Sequence, residues 1–148
     1  MSWAPYKGEF TYQHQAKTAS TAYTSGAVVD IVSGFIEVAV ITRAPHSGVI
    51  QKTVVSTDSD YASETILPVM VPRFVNSEWK VSVLSSDTLA TTDVGNFLDL
   101  AGSPVGIDVT NATSADDAAL CTKFLGANLG AFILNSYKGV QSGIGTAV

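Results

Sequence analysis

The feature that most constrains the fold is a succession of short runs rich in β-branched residues, separated by Gly, Pro, Ser and Asp. The clearest runs are 66–71 and 79–84. In the second, Trp79, Val81 and Val83 alternate with polar residues, which is the period of a half-buried strand. Such runs recur about every ten residues, so the sequence predicts a mainly β fold, a small single-domain β-barrel or β-sandwich.

Composition indicates one domain with an exterior that carries few charges. The chain has 148 residues, of which 14% are charged and 46% apolar. Soluble proteins average roughly 25% charged residues. No apolar run approaches the roughly 18 residues of a membrane helix, so no transmembrane segment is expected. The uncharged surface therefore indicates a protein that is covered by other proteins, including copies of itself.

Charge and cysteine content exclude several partner classes. The net charge of −5 repels phosphates, and the eight Lys and Arg residues form no patch, so we expect no nucleic acid partner. We likewise expect no membrane partner, and the polar start of the chain lacks the pattern of a secretion signal. The single Cys121 cannot form an internal disulfide, and its apolar neighbours predict a buried thiol.

Three segments differ in pattern. Residues 1–26 lack periodicity and are predicted to form an extended N-terminal arm, residues 27–136 the β-domain, and residues 137–148 a flexible C-terminal tail. Aromatic side chains in an arm usually contact its own domain or a neighbouring subunit, and the sequence leaves both open. The predicted partner-binding residues are Trp3, Tyr6, Phe10, Tyr12 and Tyr23.

Local signals place several elements. Ser33-Gly34 lies between the runs 27–32 and 35–40, which predicts a hairpin with a primed turn. Pro68 inside a strand favours an edge position or a bulge. The segment 86–95 is compatible with a short helical turn capped by Asp87.

Groups able to perform chemistry are sparse and scattered. Ser77 and Lys80 match the S-x-x-K motif of penicillin-recognising enzymes, but they enter a strand where that motif requires a helix. His14 and His46 have no acidic neighbour in sequence and are expected at the surface. We predict no catalytic residue, no cofactor and no metal site, and therefore no enzyme.

Three further features have a structural and a functional interpretation. Asp58 and Asp60 offer oxygen ligands for calcium, but the remaining acidic positions of a calcium loop are lacking, and turn formation is favoured. Trp79 invites a carbohydrate-binding interpretation, whereas its alternation with Val81 and Val83 favours the core. Asn111 begins a glycosylation sequon that we interpret as a turn.

One stretch of motifs carries a family resemblance. It comprises 49–63, an Ile-Leu-Pro-Val strand ending at Pro72, an aromatic strand at 78–81, and the later segments 88–95, 98–100 and 123–126. Together these motifs resemble small virion proteins of tailed bacteriophages, over roughly residues 28–136. The arm lies outside the resemblance.

The resemblance implies a capsid decoration, or cement, protein made in the host cytoplasm. Such a structural virion protein binds the outer surface of the phage capsid and stabilises it by bridging subunits of the major capsid protein. It also implies a homo-oligomer, with a trimer favoured over a dimer. The alternative function is a carbohydrate-binding or host-attachment module of a phage fibre or tail.

Overall fold

The computed structural model describes residues 3–39, 46–74, 76–83, 87–101, 106–109 and 118–135. Within these ranges the chain is almost entirely β, which confirms the predicted fold class. The strands are β1 Trp3–Lys7, β2 Phe10–Lys17, β3 Val28–Val32, β4 Phe35–Val38, β5 Gly48–Ile50, β6 Ile66–Pro72, β7 Glu78–Ser82, β8 Phe97–Ala101, β9 Gly106–Asp108, β10 Ala119–Gly126 and β11 Leu129–Leu134. One 3-10 turn, Thr91–Asp93, precedes β8.

The strands form a closed barrel and a six-stranded sheet. The barrel order is β2-β4-β3-β5-β6, and the sheet order is β1-β7-β11-β10-β8-β9. In the barrel, β2 runs antiparallel to β6 and parallel to β4. Closure leaves none of the five barrel strands at an open edge, which removes the unpaired backbone groups of a flat sheet.

Consecutive residues of β3 serve two different cores. Val29 points into the barrel, whereas Val28 points outward and packs under the six-stranded sheet. Both side chains are fully buried, as alternation along a strand with two covered faces requires. Phe10 of β2 makes the same kind of contact, with its ring centroid 4.6 Å from that of Trp79 in β7.

The N-terminal residues differ from the predicted arm. Residues 3–7 form an edge strand of the sheet, and residues 10–17 form a wall of the barrel. The sequence did not predict β2, because its polar side chains lie on the core side of the strand and its aromatic side chain lies on the outer side. Thr11, Gln13 and Gln15 lie opposite the core residues of β6, while Tyr12 faces outward. The predicted C-terminal tail lies outside the described residues.

The structure confirms the predicted hairpin. Ser33 and Gly34 have φ values of 51° and 87°, so both occupy the left-handed region that a type I′ turn requires. Strands β10 and β11 form a second hairpin.

Pro68 and Asp87 have roles that the sequence did not indicate. Pro68 lies in a barrel strand, not at an edge, but its carbonyl accepts a bond from Gln51 N just beyond the end of β5. The nitrogen of Pro68 also faces β5, beyond the last paired residue of that strand. Its missing N–H therefore removes no hydrogen bond from the ladder between β5 and β6. The helical turn is confirmed, but Asp87 does not cap it. Instead its carboxylate accepts from Val109 N at 2.8 Å.

Candidate functional site

The barrel carries an exposed, uncharged surface on the strand pair β2 and β6. Residues opposite each other on antiparallel strands share a face, and the register pairs His14 with Pro68 and Ala16 with Ile66. Tyr12 lies on the same face and is 55% exposed, while Ile66 is 63% exposed. We call these five residues the strand-pair face. None of the five is Asp, Glu, Lys or Arg.

The strand-pair face continues a surface that the protein itself covers. At the other end of the same two strands, Phe10 and Met70 also point outward but pack against the core under the six-stranded sheet. The outer side of the pair is thus mostly apolar, with His14 as its polar member, and one end lies open. Exposed apolar surface of this kind typically marks an interaction site.

A cleft borders this face beside β4. The parallel register places Phe35 next to Ala16, so Ile66, Ala16 and Phe35 form one row across three strands. The cleft has a volume of about 290 Å³. We call it the β4 cleft; its lining residues are Thr18, Ala19, Val32, Ser33, Phe35, Glu37 and Glu64.

The predicted partner-binding aromatics are distributed between core and surface. Trp3 is buried in the sheet core and Tyr23 in the barrel core, so neither is accessible to a partner. Phe10 packs on Trp79, and Tyr6 is half-buried. Of the five predicted residues, Tyr12 alone lies on the strand-pair face. The other members were missed because only the pairing register shows that they are neighbours.

Tyr23 fastens the end of β2 to β4. Its hydroxyl donates to Ile36 O at 2.5 Å and accepts from Thr18 N at 3.2 Å. Burial raises the pKa of Tyr23 above its ordinary value, chiefly because the phenolate would lose its hydration. The residue therefore serves as a neutral structural link on the inner side of the β4 cleft.

His46 is not at the surface, and that expectation is wrong. It is fully buried, with Nδ1 3.0 Å from Asp30 Oδ1, and Asp30 is 3% exposed. Its backbone N–H donates to Asn135 O, which ties the start of β5 to the end of β11. The partner lies sixteen residues away in sequence and is brought in by strand pairing, so no local motif announces it. His14, by contrast, is exposed as expected.

The Asp30 and His46 side chains are predicted to stabilise the fold jointly. In a double-mutant cycle with Asp30→Ala and His46→Ala, we expect a coupling energy of about 2 kcal/mol, because each single change leaves a buried polar partner unsatisfied. Urea unfolding of the four proteins measures it. Lys52→Ala with Asp60→Ala is the control, since that pair is exposed and should couple by about 0.5 kcal/mol. Equal coupling in both cycles would contradict the prediction.

The remaining sequence candidates have structural roles. Asp58 accepts from Val55 N at 2.8 Å, which confirms turn formation, and Asp60 pairs with Lys52 at 3.1 Å. Ser77 donates to Glu9 O at 2.9 Å, immediately before β7. Trp79 is fully buried, which confirms its assignment to the core.

The predicted buried thiol is confirmed, and burial raises the pKa of Cys121. Across the described ranges, no group of three or more His, Cys, Asp or Glu side chains is arranged to hold a metal. In that part of the chain no helix is long and apolar enough to cross a membrane. The sequon at Asn111 lies outside the described residues.

Fold and surface together define a class: a small β protein in which a closed barrel packs on a six-stranded sheet and exposes an uncharged strand pair. Comparison with protein-family models, with curated protein sequences and with solved structures found no match.

Proposed function

We propose that the protein is a structural virion protein, a decoration protein that binds the outer surface of a phage capsid and bridges subunits of the major capsid protein. The observation that carries the proposal is the strand-pair face. It exposes Tyr12 and Ile66 and contains no Asp, Glu, Lys or Arg, on a chain in which charged residues are scarce throughout. The sequence resemblance to small virion proteins points the same way.

The chemistry of this face suits repeated, multivalent attachment. Docking it removes apolar area from water, at about 25 cal/mol per Å², with no Asp, Glu, Lys or Arg of the face to desolvate. One such contact is modest once ordering costs are subtracted. Many copies on a lattice, or several faces within one oligomer, multiply the effect because later contacts are intramolecular.

The barrel architecture suits a load-bearing role. Each barrel strand is hydrogen-bonded on both sides, so pulling any one strand out of the barrel requires two ladders to break. The strand-pair face belongs to one of these ladders, in which β2 and β6 pair over seven positions. A protein attached through this face would transmit force into a closed structure and not into a free edge.

A non-enzymatic role agrees with the placement of the reactive groups. The Asp30 and His46 pair is buried, so a substrate cannot reach it from solvent. The carbohydrate-binding alternative calls for a cluster of exposed aromatic side chains on one face, and both tryptophans, Trp3 and Trp79, are buried. We therefore favour capsid decoration over the attachment module.

The test is binding to mature heads of the tailed phage that encodes the chain. We expect the double substitution Tyr12→Ser with Ile66→Ser to weaken co-sedimentation with heads at least tenfold, because it removes the two most exposed apolar contacts of the face. Both side chains are exposed, so stability should change by less than about 1 kcal/mol.

The control is Phe97→Ser, which removes an exposed apolar side chain from the six-stranded sheet. It should leave head binding unchanged. Deletion of residues 2–20 is not a suitable test, because it removes β1 and β2 and opens the barrel. The proposal is overturned if the wild-type protein does not co-sediment with heads and is absent from purified particles.

A further inference from the structure

The β4 cleft carries two carboxylates without an ionic partner. The ion pairs within the described residues are Asp30 with His46, Lys52 with Asp60, and Glu9 with Arg73, and none includes Glu37 or Glu64. The aromatic ring of Phe35 lines the same cleft. Carboxylates beside an aromatic ring form a suitable environment for an organic cation, which gains both ion pairing and cation–π attraction.

We propose that the β4 cleft receives a Lys or Arg side chain of the partner protein that lies on the strand-pair face. The inference deepens the proposed function and rests on it for the partner, though the chemistry of the cleft stands by itself. With a volume of about 290 Å³, the cleft lies at the lower end of the range for ligand pockets and suits a single side chain.

The cleft and the strand-pair face are continuous. Phe35 lies beside Ala16 in the barrel register, and Ala16 lies beside Ile66. A partner segment resting on Ile66 and Ala16 therefore reaches Phe35 with its next side chain. The strand-pair face contributes buried apolar area to the contact, and the ion pair in the β4 cleft fixes the position and orientation of the partner.

The cations within the described residues do not pair with the carboxylates of this cleft. Lys17 is the nearest in sequence, but it is fully buried and its Nζ donates to the carbonyls of Tyr61 and Thr18, at 2.6 and 3.2 Å.

Electrostatics favour a different protein over a second copy. The chain carries a net charge of −5, so two copies repel each other at long range. A partner surface with a basic residue is attracted instead. We therefore assign the occupant to the partner's surface, here the capsid subunit, and treat self-association as an outcome to be measured.

The probe is the capped tripeptide Ac-Val-Arg-Val-NH2, titrated into ¹⁵N-labelled protein and followed by amide chemical shifts. We expect saturable shifts at Thr18, Ser33 and Glu37. The same peptide with citrulline in place of arginine, which has nearly the same shape without the charge, should bind several-fold more weakly, because it loses both the ion pair and the cation–π contact.

The matched variants are Glu37→Gln with Glu64→Gln, against the control Glu9→Gln. Glu9 is an exposed carboxylate outside the cleft. The cleft variant should bind the arginine peptide several-fold more weakly, and the control should bind as wild type does. Absent shifts, equal binding of the citrulline peptide, or unchanged binding by the cleft variant would each overturn the inference.

Head binding separates this inference from the proposed function. If the cleft variant binds heads as wild type does while the Tyr12 and Ile66 variant loses binding, the inference fails and the proposed function stands. If wild type ignores heads, the proposed function fails and the peptide titration still decides whether the cleft binds a cation. If sedimentation velocity shows that the cleft variant loses self-association only, the occupant is a second copy and the assignment is wrong.

Discussion

Replacing Trp79 with alanine is expected to lower the free energy of unfolding by about 3 to 5 kcal/mol, the largest effect among the substitutions considered. Trp79 is fully buried and contacts two other rings edge-on, Phe10 at 4.6 Å and Trp3 at 6.3 Å between centroids. Phe10 belongs to the barrel and Trp3 to the sheet. The substitution therefore leaves a cavity where the two layers meet.

Urea unfolding monitored by circular dichroism measures this effect. The control is Phe74→Ala, which truncates an aromatic ring that is 52% exposed and should cost less than about 1 kcal/mol. Equal losses for the two variants would show that Trp79 does not hold the layers together. The same variant cannot test carbohydrate binding. Because Trp79 is buried, a loss of glycan binding by Trp79→Ala would report loss of stability and not a missing contact with the sugar.

Replacing Gly48 with alanine is expected to lower the free energy of unfolding by about 3 kcal/mol. A Cβ at this position would lie 2.4 Å from the carbonyl oxygen of Met70 and 2.9 Å from Val71 Cγ1. The nearer atom is backbone, so a side-chain rotation cannot relieve the clash. Strands β5 and β6 would have to separate, and their pairing is one of the five seams that close the barrel.

The matched control is Gly126→Ala at the end of β10. A Cβ there meets no atom within 4 Å, so the substitution should be neutral within about 0.5 kcal/mol or slightly stabilising. Thermal unfolding of both variants decides the matter. Similar melting temperatures for the two proteins would contradict the close approach of β5 to β6.

The parts of the fold that the sequence predicts are those set by neighbouring residues. Ser33-Gly34 specifies its turn because both residues tolerate positive φ, and Trp79 reveals its burial through alternation with Val81. The same alternation of apolar and polar residues did not predict β2, because its polarity is inverted. There the side chains opposite the apolar face of β6 are polar, so strict alternation pointed to no strand.

The candidate site was only partly predictable for a related reason. Tyr12 is visible as an aromatic in a polar segment, but Ile66 and Pro68, which complete the strand-pair face, lie more than fifty positions away in sequence. Asp30 and His46 meet through strand pairing in the same manner. Pairing registers depend on the whole barrel, and no window of local sequence contains them.

The adjacent residues Val28 and Val29 serve separate cores. One strand, β3, thus contributes side chains to both cores, so loss of packing in one core should also destabilise the other. The barrel and the sheet should consequently melt in one calorimetric transition, with equal van't Hoff and calorimetric enthalpies. Engineers seeking a smaller scaffold from this protein should expect neither half to survive excision.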